Sequence, residues 1–193
     1  MKRGQTARLR HRSARKLAFK LGAGTRAIWT DQRGVAAIEF GFFGIFLAAA
    51  LANVTDVSIY IYQRMEVENA TEIAAQTALK TCATSLPATT KCANLLNAVQ
   101  TALYSTSLGT AVTLQNGSPT EGYYCINTSN ALQYVSDVSS KPADCTAAGT
   151  PALQPGDYIT IQTTFTYQPL FARLSVAAVF PSPITRTAIM RLG

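Results

Sequence analysis

The chain has 193 residues, of which 48% are apolar and only 14% charged, with one histidine, His11. That length holds one ordinary domain plus extra segments, and the charge fraction falls well below the roughly 25% of soluble domains. The net charge of +7 averages two unlike parts: ten of the 17 Lys/Arg and one of the ten acids, Asp31, lie in residues 1–33, leaving seven basic and nine acidic residues, a net of −2, for residues 34–193.

This balance excludes a uniformly basic protein, a disordered acidic one and a polytopic membrane protein, since only one long apolar run exists. The lone histidine excludes His-rich metal sites and counts against a Ser-His-Asp hydrolase. No phosphate-binding loop, dinucleotide fingerprint, HExxH or GxSxG occurs, so no enzyme, cofactor, metal or small-molecule substrate is expected.

Residues 1–34 read as a basic cytoplasmic leader. A topology anchor, an organelle transit peptide and a nucleic-acid or acidic-lipid tail all suit such a stretch. The first is favoured. The tail abuts an apolar run, where positive charge is the expected flank, and it has only Phe19 and Trp29 as aromatics. No nucleic-acid partner is expected.

Val35 to Ala52 (VAAIEFGFFGIFLAAALA) carries one charge, Glu39, over 18 residues. At about 1.5 Å per residue it spans roughly 27 Å, close to a hydrocarbon core. Residues 53–62 prolong it and add Tyr60 and Tyr62, which suit a membrane interface, so residues 35–62 are expected to be a transmembrane helix. The positive-inside rule places residues 1–33 in the cytoplasm and residues 63–193 outside it. Ala50-Leu51-Ala52 also fits a secretory cleavage site that would begin the mature chain at Asn53. That leader would be longer than the usual length of about 15–30 residues, and Glu39 would sit in its apolar region.

Residues 63–81 contain no Gly or Pro and predict a helical stalk. Val67, Ala70, Ala74 and Ala78 form one face, and Glu68, Glu72, Gln76 and Lys80 lie nearly opposite. One helix over 35–81 would be about 70 Å long, and two helices broken near Asn53–Asp56 are the alternative. Residues 82–193 predict an α+β domain. A short helix is expected at Ala93–Tyr104, with Leu95, Leu96, Val99 and Leu103 on one side. Strands are expected at Ala111–Leu114, Gly122–Ile126, Leu132–Val138, Tyr158–Tyr167 and Ile184–Leu192, and a short helix or apolar loop at Phe171–Phe180. Tyr158–Tyr167 alternates strongly, with Ile159, Ile161, Thr163, Phe165 and Tyr167 on one face. The fold class is therefore α+β: a long N-terminal helix, then a small antiparallel sheet.

Cys82, Cys92, Cys125 and Cys145 all follow the apolar run, hence on this topology lie in an oxidising compartment and predict two disulfides. Three pairings are open. Neighbour pairing, Cys82–Cys92 and Cys125–Cys145, closes short loops and is favoured over the others and over a Cys₄ zinc site, because no C-x-x-C pair exists.

The stretch Asp31-Gln32-Arg33-Gly34-Val35-Ala36-Ala37-Ile38-Glu39-Phe40, followed by Arg64 and Glu68-Asn69-Ala70, resembles the TadE-like family, pseudopilin-like proteins of tight-adherence (Flp) pilus assembly. The likeness covers about residues 31–80 and is loose beyond, where Thr71 and the cysteine-bearing middle depart from the pattern. The resemblance implies a minor pseudopilin of the inner membrane with a periplasmic domain. Its partners would be a prepilin peptidase, other pilins and pilus-assembly proteins. The peptidase would cut between Gly34 and Val35, and Glu39 would pair with the new α-amine of Val35 or of a neighbouring subunit. A carboxylate at the membrane edge needs such a partner or must snorkel to the interface. Gly41, Gly44, Ala48 and Ala52, at i, i+3, i+7 and i+11, form a narrow face where another helix can approach closely, or simply face lipid. The alternative function is an unprocessed single-pass anchor presenting a binding domain.

Overall fold

The computed structural model describes residues 33–115 and 117–193. The basic leader expected over residues 1–34 lies outside the described residues, except for its last two positions. The protein is α+β: a long apolar N-terminal helix followed by a small antiparallel sheet with two disulfides. Helix α1 runs Arg33–Cys82 without a break at Asn53–Asp56. The polar residues there do not compete with the helical backbone in a damaging way. Thr55 and Ser58 donate back to the Leu51 and Val54 carbonyls, while Asp56 turns its carboxylate outward to other backbone amides. The chain divides into two compact units after Ala50.

In the unit from Leu51 to Gly193, α1 buries one face. Val67, Ala70, Ala74, Ala75, Ala78 and Cys82 are fully buried, while Glu68, Glu72, Gln76 and Lys80 are exposed. Alanine on the inner face lets helix and sheet backbones approach closely. At that contact Thr71 donates to the Val67 carbonyl and shares a 2.6 Å hydrogen bond with Thr163 of the sheet, so two buried hydroxyls satisfy each other. Beyond Cys82 the chain turns through Ser85-Leu86-Pro87, where proline cannot continue a helix. Two short helices follow, α2 (Ala88–Lys91) and α3 (Leu95–Tyr104). α3 buries Leu95, Val99 and Leu103, at i, i+4 and i+8. Leu96, expected on the same side, is half-exposed because it sits about 100° round the helix from Leu95.

Five antiparallel strands follow: β1 (Val112–Leu114), β2 (Thr120–Ile126), β3 (Leu132–Asp137), β4 (Gly156–Phe165) and β5 (Ile184–Arg191). β4 is central. β5 covers one edge from Tyr158↔Arg191 to Phe165↔Ile184, and the other edge is shared by β2 over residues 156–160 and β1 over residues 163–165. β3 lies outside β2, with a bulge at Tyr123/Tyr124. Close pairing there requires Gly122, because a Cβ on it would stand 2.6 Å from the Tyr134 ring. The expected face of β4 is buried, with Ile159, Ile161 and Thr163 fully so and Phe165 nearly so, while Thr160 between them is buried as well. These side chains, with Val67, Val99, Leu103 and Val112, make one core, to which each large apolar side chain contributes about 1.5–3 kcal/mol.

The disulfides are Cys82–Cys92 and Cys125–Cys145, with Cα–Cα separations of 5.6 and 5.7 Å. The first ties the end of α1 to Cys92, the residue that caps the end of α2. The second closes a satellite cluster of Cys125, Cys145, Ala148 and Val135 beneath the β3 edge.

Candidate membrane and assembly surface

Residues 33–50 are helical throughout, and what sets them apart is exposure. Ile38, Phe40, Phe42, Phe43, Ile45, Phe46 and Leu47 are each 62–80% exposed. A helix apolar on every side belongs in lipid or among other helices, since one-sided packing uses only a stripe. This helix is long and apolar enough to cross a membrane. Gly34 and Val35 lie in its first turn, and Glu39 lies one turn beyond Val35 with its side chain exposed. A Cβ added to Gly34, Gly41 or Gly44 would meet nothing within 4 Å, and Ala48 is exposed. Ala52, the fourth small residue of that face, is half-buried. By helical geometry Glu39 sits roughly 160° from Gly41, nearly opposite the small-residue face.

The all-round apolar exposure ends near Leu51: Val54, Ile61, Tyr62 and Met65 stay exposed, but the next residues of α1 also carry side chains tied to the sheet domain. Asn53 donates to the Leu174 carbonyl at 3.0 Å and accepts from the Val176 amide at 2.8 Å. Asp56 is fully buried, and its two carboxylate oxygens accept from the Leu170 and Phe171 amides at 3.0 Å each. Tyr167 donates its hydroxyl to the Asp56 carbonyl at 3.1 Å. Burial, and then the nearby Asp56 and Tyr60, push the Tyr167 phenol above its ordinary value. Tyr60, expected at a membrane interface, instead lies in the core. Its ring packs on Tyr167 at 5.0 Å and on Phe180 at 4.8 Å. Tyr62 is 57% exposed. Charge-assisted hydrogen bonds such as those of Asp56 contribute about 1.5–3 kcal/mol.

Asn53 and Asp56 were legible only as a candidate helix break. The signal that could have revealed them is their i, i+3 spacing, which puts two short polar side chains on one face of an otherwise apolar helix. A second feature without sequence signal lies between β2 and β4. Glu121 receives the Ala88 and Thr89 amides and the Thr89 hydroxyl at 2.6–2.7 Å, holding the start of α2. Burial, and then the charge and hydrogen bonding of Glu121, raise the Asp157 carboxyl to about 6, opposed by Lys141.

The structure brings the four cysteines together in two pairs. Among the described residues no group of three or more His, Cys, Asp or Glu side chains is placed to hold a metal ion. The chain matches no family model, no curated protein and no solved structure.

Proposed function

We propose that this chain is a minor pseudopilin-like protein acting in assembly of a tight-adherence pilus. In this reading it is made as a precursor with its N-terminus in the cytoplasm, its apolar helix in the inner membrane and its sheet domain in the periplasm. A prepilin peptidase trims it between Gly34 and Val35, and the exposed helix then associates with other pilins. The observation that carries the proposal is the apolar segment from Val35 to Leu51, whose large side chains are exposed on every side, with Glu39 as its one charge, directly after Gly34.

The residues divide the work. Gly34 leaves the scissile peptide bond least hindered. Glu39 offers an anionic partner to an α-ammonium, its own or a neighbour's, near the membrane edge. Gly41, Gly44 and Ala48 let a second helix approach from the opposite side. A helix with a charged contact on one side and a close-packing contact on the other can bind two neighbours at once, as assembly requires. Release by cleavage after Ala52 would cut inside the continuous helix α1, immediately before Asn53, and would discard the apolar segment on which this reading rests.

The test uses two variants in the native host with its peptidase. Gly34→Leu should accumulate as a precursor longer by the 34 leader residues. Glu39→Ala should be trimmed normally and inserted readily, because an intramembrane charge is removed, yet fail to co-purify with other pilus subunits. Equal lengths for wild type and Gly34→Leu would replace this reading with that of an unprocessed single-pass anchor.

A further inference from the structure

Residues 166–183 invert the usual rule for a surface loop. Leu170, Leu174, Val176 and Val179 are 56–84% exposed, whereas Ser175 and Ala177 are buried. A loop facing water would turn its apolar side chains inward and its serine outward. The single charge in this stretch is Arg173, which is exposed.

The backbone of the loop is unusually well satisfied from within the domain. The Leu170 and Phe171 amides donate to Asp56, and the Val176 amide donates to Asn53. The Leu174 and Ser175 amides donate to the Phe171 carbonyl at 2.8 and 2.9 Å, and the Ala177 amide to the Ser175 hydroxyl at 3.1 Å. The Ala178 and Phe180 amides donate to the Ser175 and Ala177 carbonyls. Internal pairing of this kind is what an apolar medium demands of non-helical backbone, because no water is there to bond it.

Chain connectivity fixes where this loop lies. It is hydrogen-bonded to Asn53, two residues and so about 3 Å along the helix from Leu51, the end of the exposed apolar run. If the run ending at Leu51 occupies hydrocarbon, groups held on Asn53 lie at the boundary. We propose that residues 170–179, clamped to α1 by Asn53 and Asp56, insert into the lipid headgroup region and seat the domain on the membrane that its own helix enters. Leu170, Leu174, Val176 and Val179 enter the boundary between headgroups and acyl chains, and Arg173 meets lipid phosphates. The inference rests on the membrane reading of residues 35–51 and goes beyond it. It makes the domain a peripheral membrane contact in its own right and restricts how it can tilt. Lipid is favoured over a protein partner because the loop adjoins the apolar run in the chain and its charge is purely cationic, matching anionic headgroups.

The test places single tryptophans in the full chain, in a Trp29→Phe background that removes the native indole. The protein is reconstituted into vesicles of phosphatidylcholine and phosphatidylglycerol, with or without lipid brominated near the headgroup end of the acyl chain. Leu174→Trp and Val179→Trp replace exposed side chains, so the fold should tolerate them. Both should lose emission about twofold with brominated lipid, as insertion about 5–10 Å below the headgroups brings the ring beside bromine. Arg173→Glu should reduce that quenching. Lys80→Trp, about 36 Å along α1 from Asp56, should be unaffected. Phe43→Trp, read with lipid brominated at the acyl-chain terminus, reports the apolar helix separately. Quenching at Phe43→Trp without quenching at 174 and 179 would overturn the lipid-seated loop and leave the anchor standing. Blue-shifted but unquenched emission at 174 would also overturn it, assigning the loop to a protein partner or a second copy. No quenching at Phe43→Trp would remove the membrane reading itself.

Discussion

Residues 35–50 and residues 51–82 belong to one helix and obey different rules of burial. In the first stretch phenylalanine, leucine and isoleucine face outward on every side. In the second, valine and alanine gather on one buried face while Glu68, Glu72, Gln76 and Lys80 face water. Large apolar side chains are thus exposed in the first stretch, and small ones line the buried face of the second. Apolar content alone does not mark a core. The distribution of that content around the helix axis does, and all-round apolarity points to a solvent other than water.

That contrast can be broken most strongly with a charge placed in each stretch. Ala74→Asp puts an unpaired carboxylate into the helix–sheet contact and should cost about 3–5 kcal/mol, enough to unfold much of the domain in a thermal melt of the full chain in detergent. Phe43→Asp should shift the same melt by less than about 0.5 kcal/mol. Its effect appears instead as impaired membrane insertion, at a cost of about 2.5–3.5 kcal/mol near the middle of a span. Similar losses of domain stability from both changes would dissolve the distinction.

The disulfides sharpen the account of the second stretch. Replacing Cys82 and Cys92 together by serine should cost about 3 kcal/mol, because an unfolded loop is no longer closed. Since Cys82 sits in the main core, the whole domain should melt earlier. Replacing Cys125 and Cys145 has a similar entropic cost, but it should appear first as faster amide exchange around β3 and residues 145–150, where the satellite cluster lies.

At the junction, Asp56→Ala removes the acceptor of two backbone amides and should cost about 2 kcal/mol. Hydrogen exchange at Leu170 and Phe171 should accelerate well before the amides of β4 do. Uniform acceleration across the sheet would mean that Asp56 supports the whole core rather than the loop it holds.

The smallest effect is pH dependence. In the folded protein the Asp157 carboxyl is raised to about 6 by burial and by Glu121 beside it, above its ordinary value of 3.8. The folded state therefore binds this proton more tightly than the unfolded chain. The resulting stabilisation is fully present below about pH 4 and is lost as pH rises through about 6. Allowing for solvent screening, the change should be about 1–2 kcal/mol. Thermal melts between pH 4 and 8 should lose this component in Asp157→Asn, which should also be more stable than wild type at pH 7.

Much of the fold was readable because it is written in local periodicity. The Val67–Ala78 stripe repeats with the helix, and Ile159, Ile161, Thr163 and Phe165 repeat with the strand. Each kept its expected face. What escaped was non-local. Asp56 meets amides 114 and 115 residues away, and Glu121 holds a helix start more than 30 residues back, pairings that no window of sequence contains. Tyr60 was misplaced for the same reason: an aromatic after an apolar run suits an interface until Tyr167 and Phe180 arrive to cover it. Of the candidate surface, Glu39 and the Gly41, Gly44, Ala48 face were legible as composition, and they are exposed, whereas Ala52 is half-buried.

On this reading the exposed apolar helix is retained in a membrane after its basic leader is removed. Intact-mass spectrometry of the wild-type protein, extracted from membranes of its native host without reductant, tests it directly. The expected mass is that of a chain beginning at Val35, lighter by four hydrogens for the two disulfides. A chain that still begins at Met1 would contradict processing and leave a plain anchor. A chain that begins at Asn53 would show that the apolar segment is discarded and that no membrane helix remains.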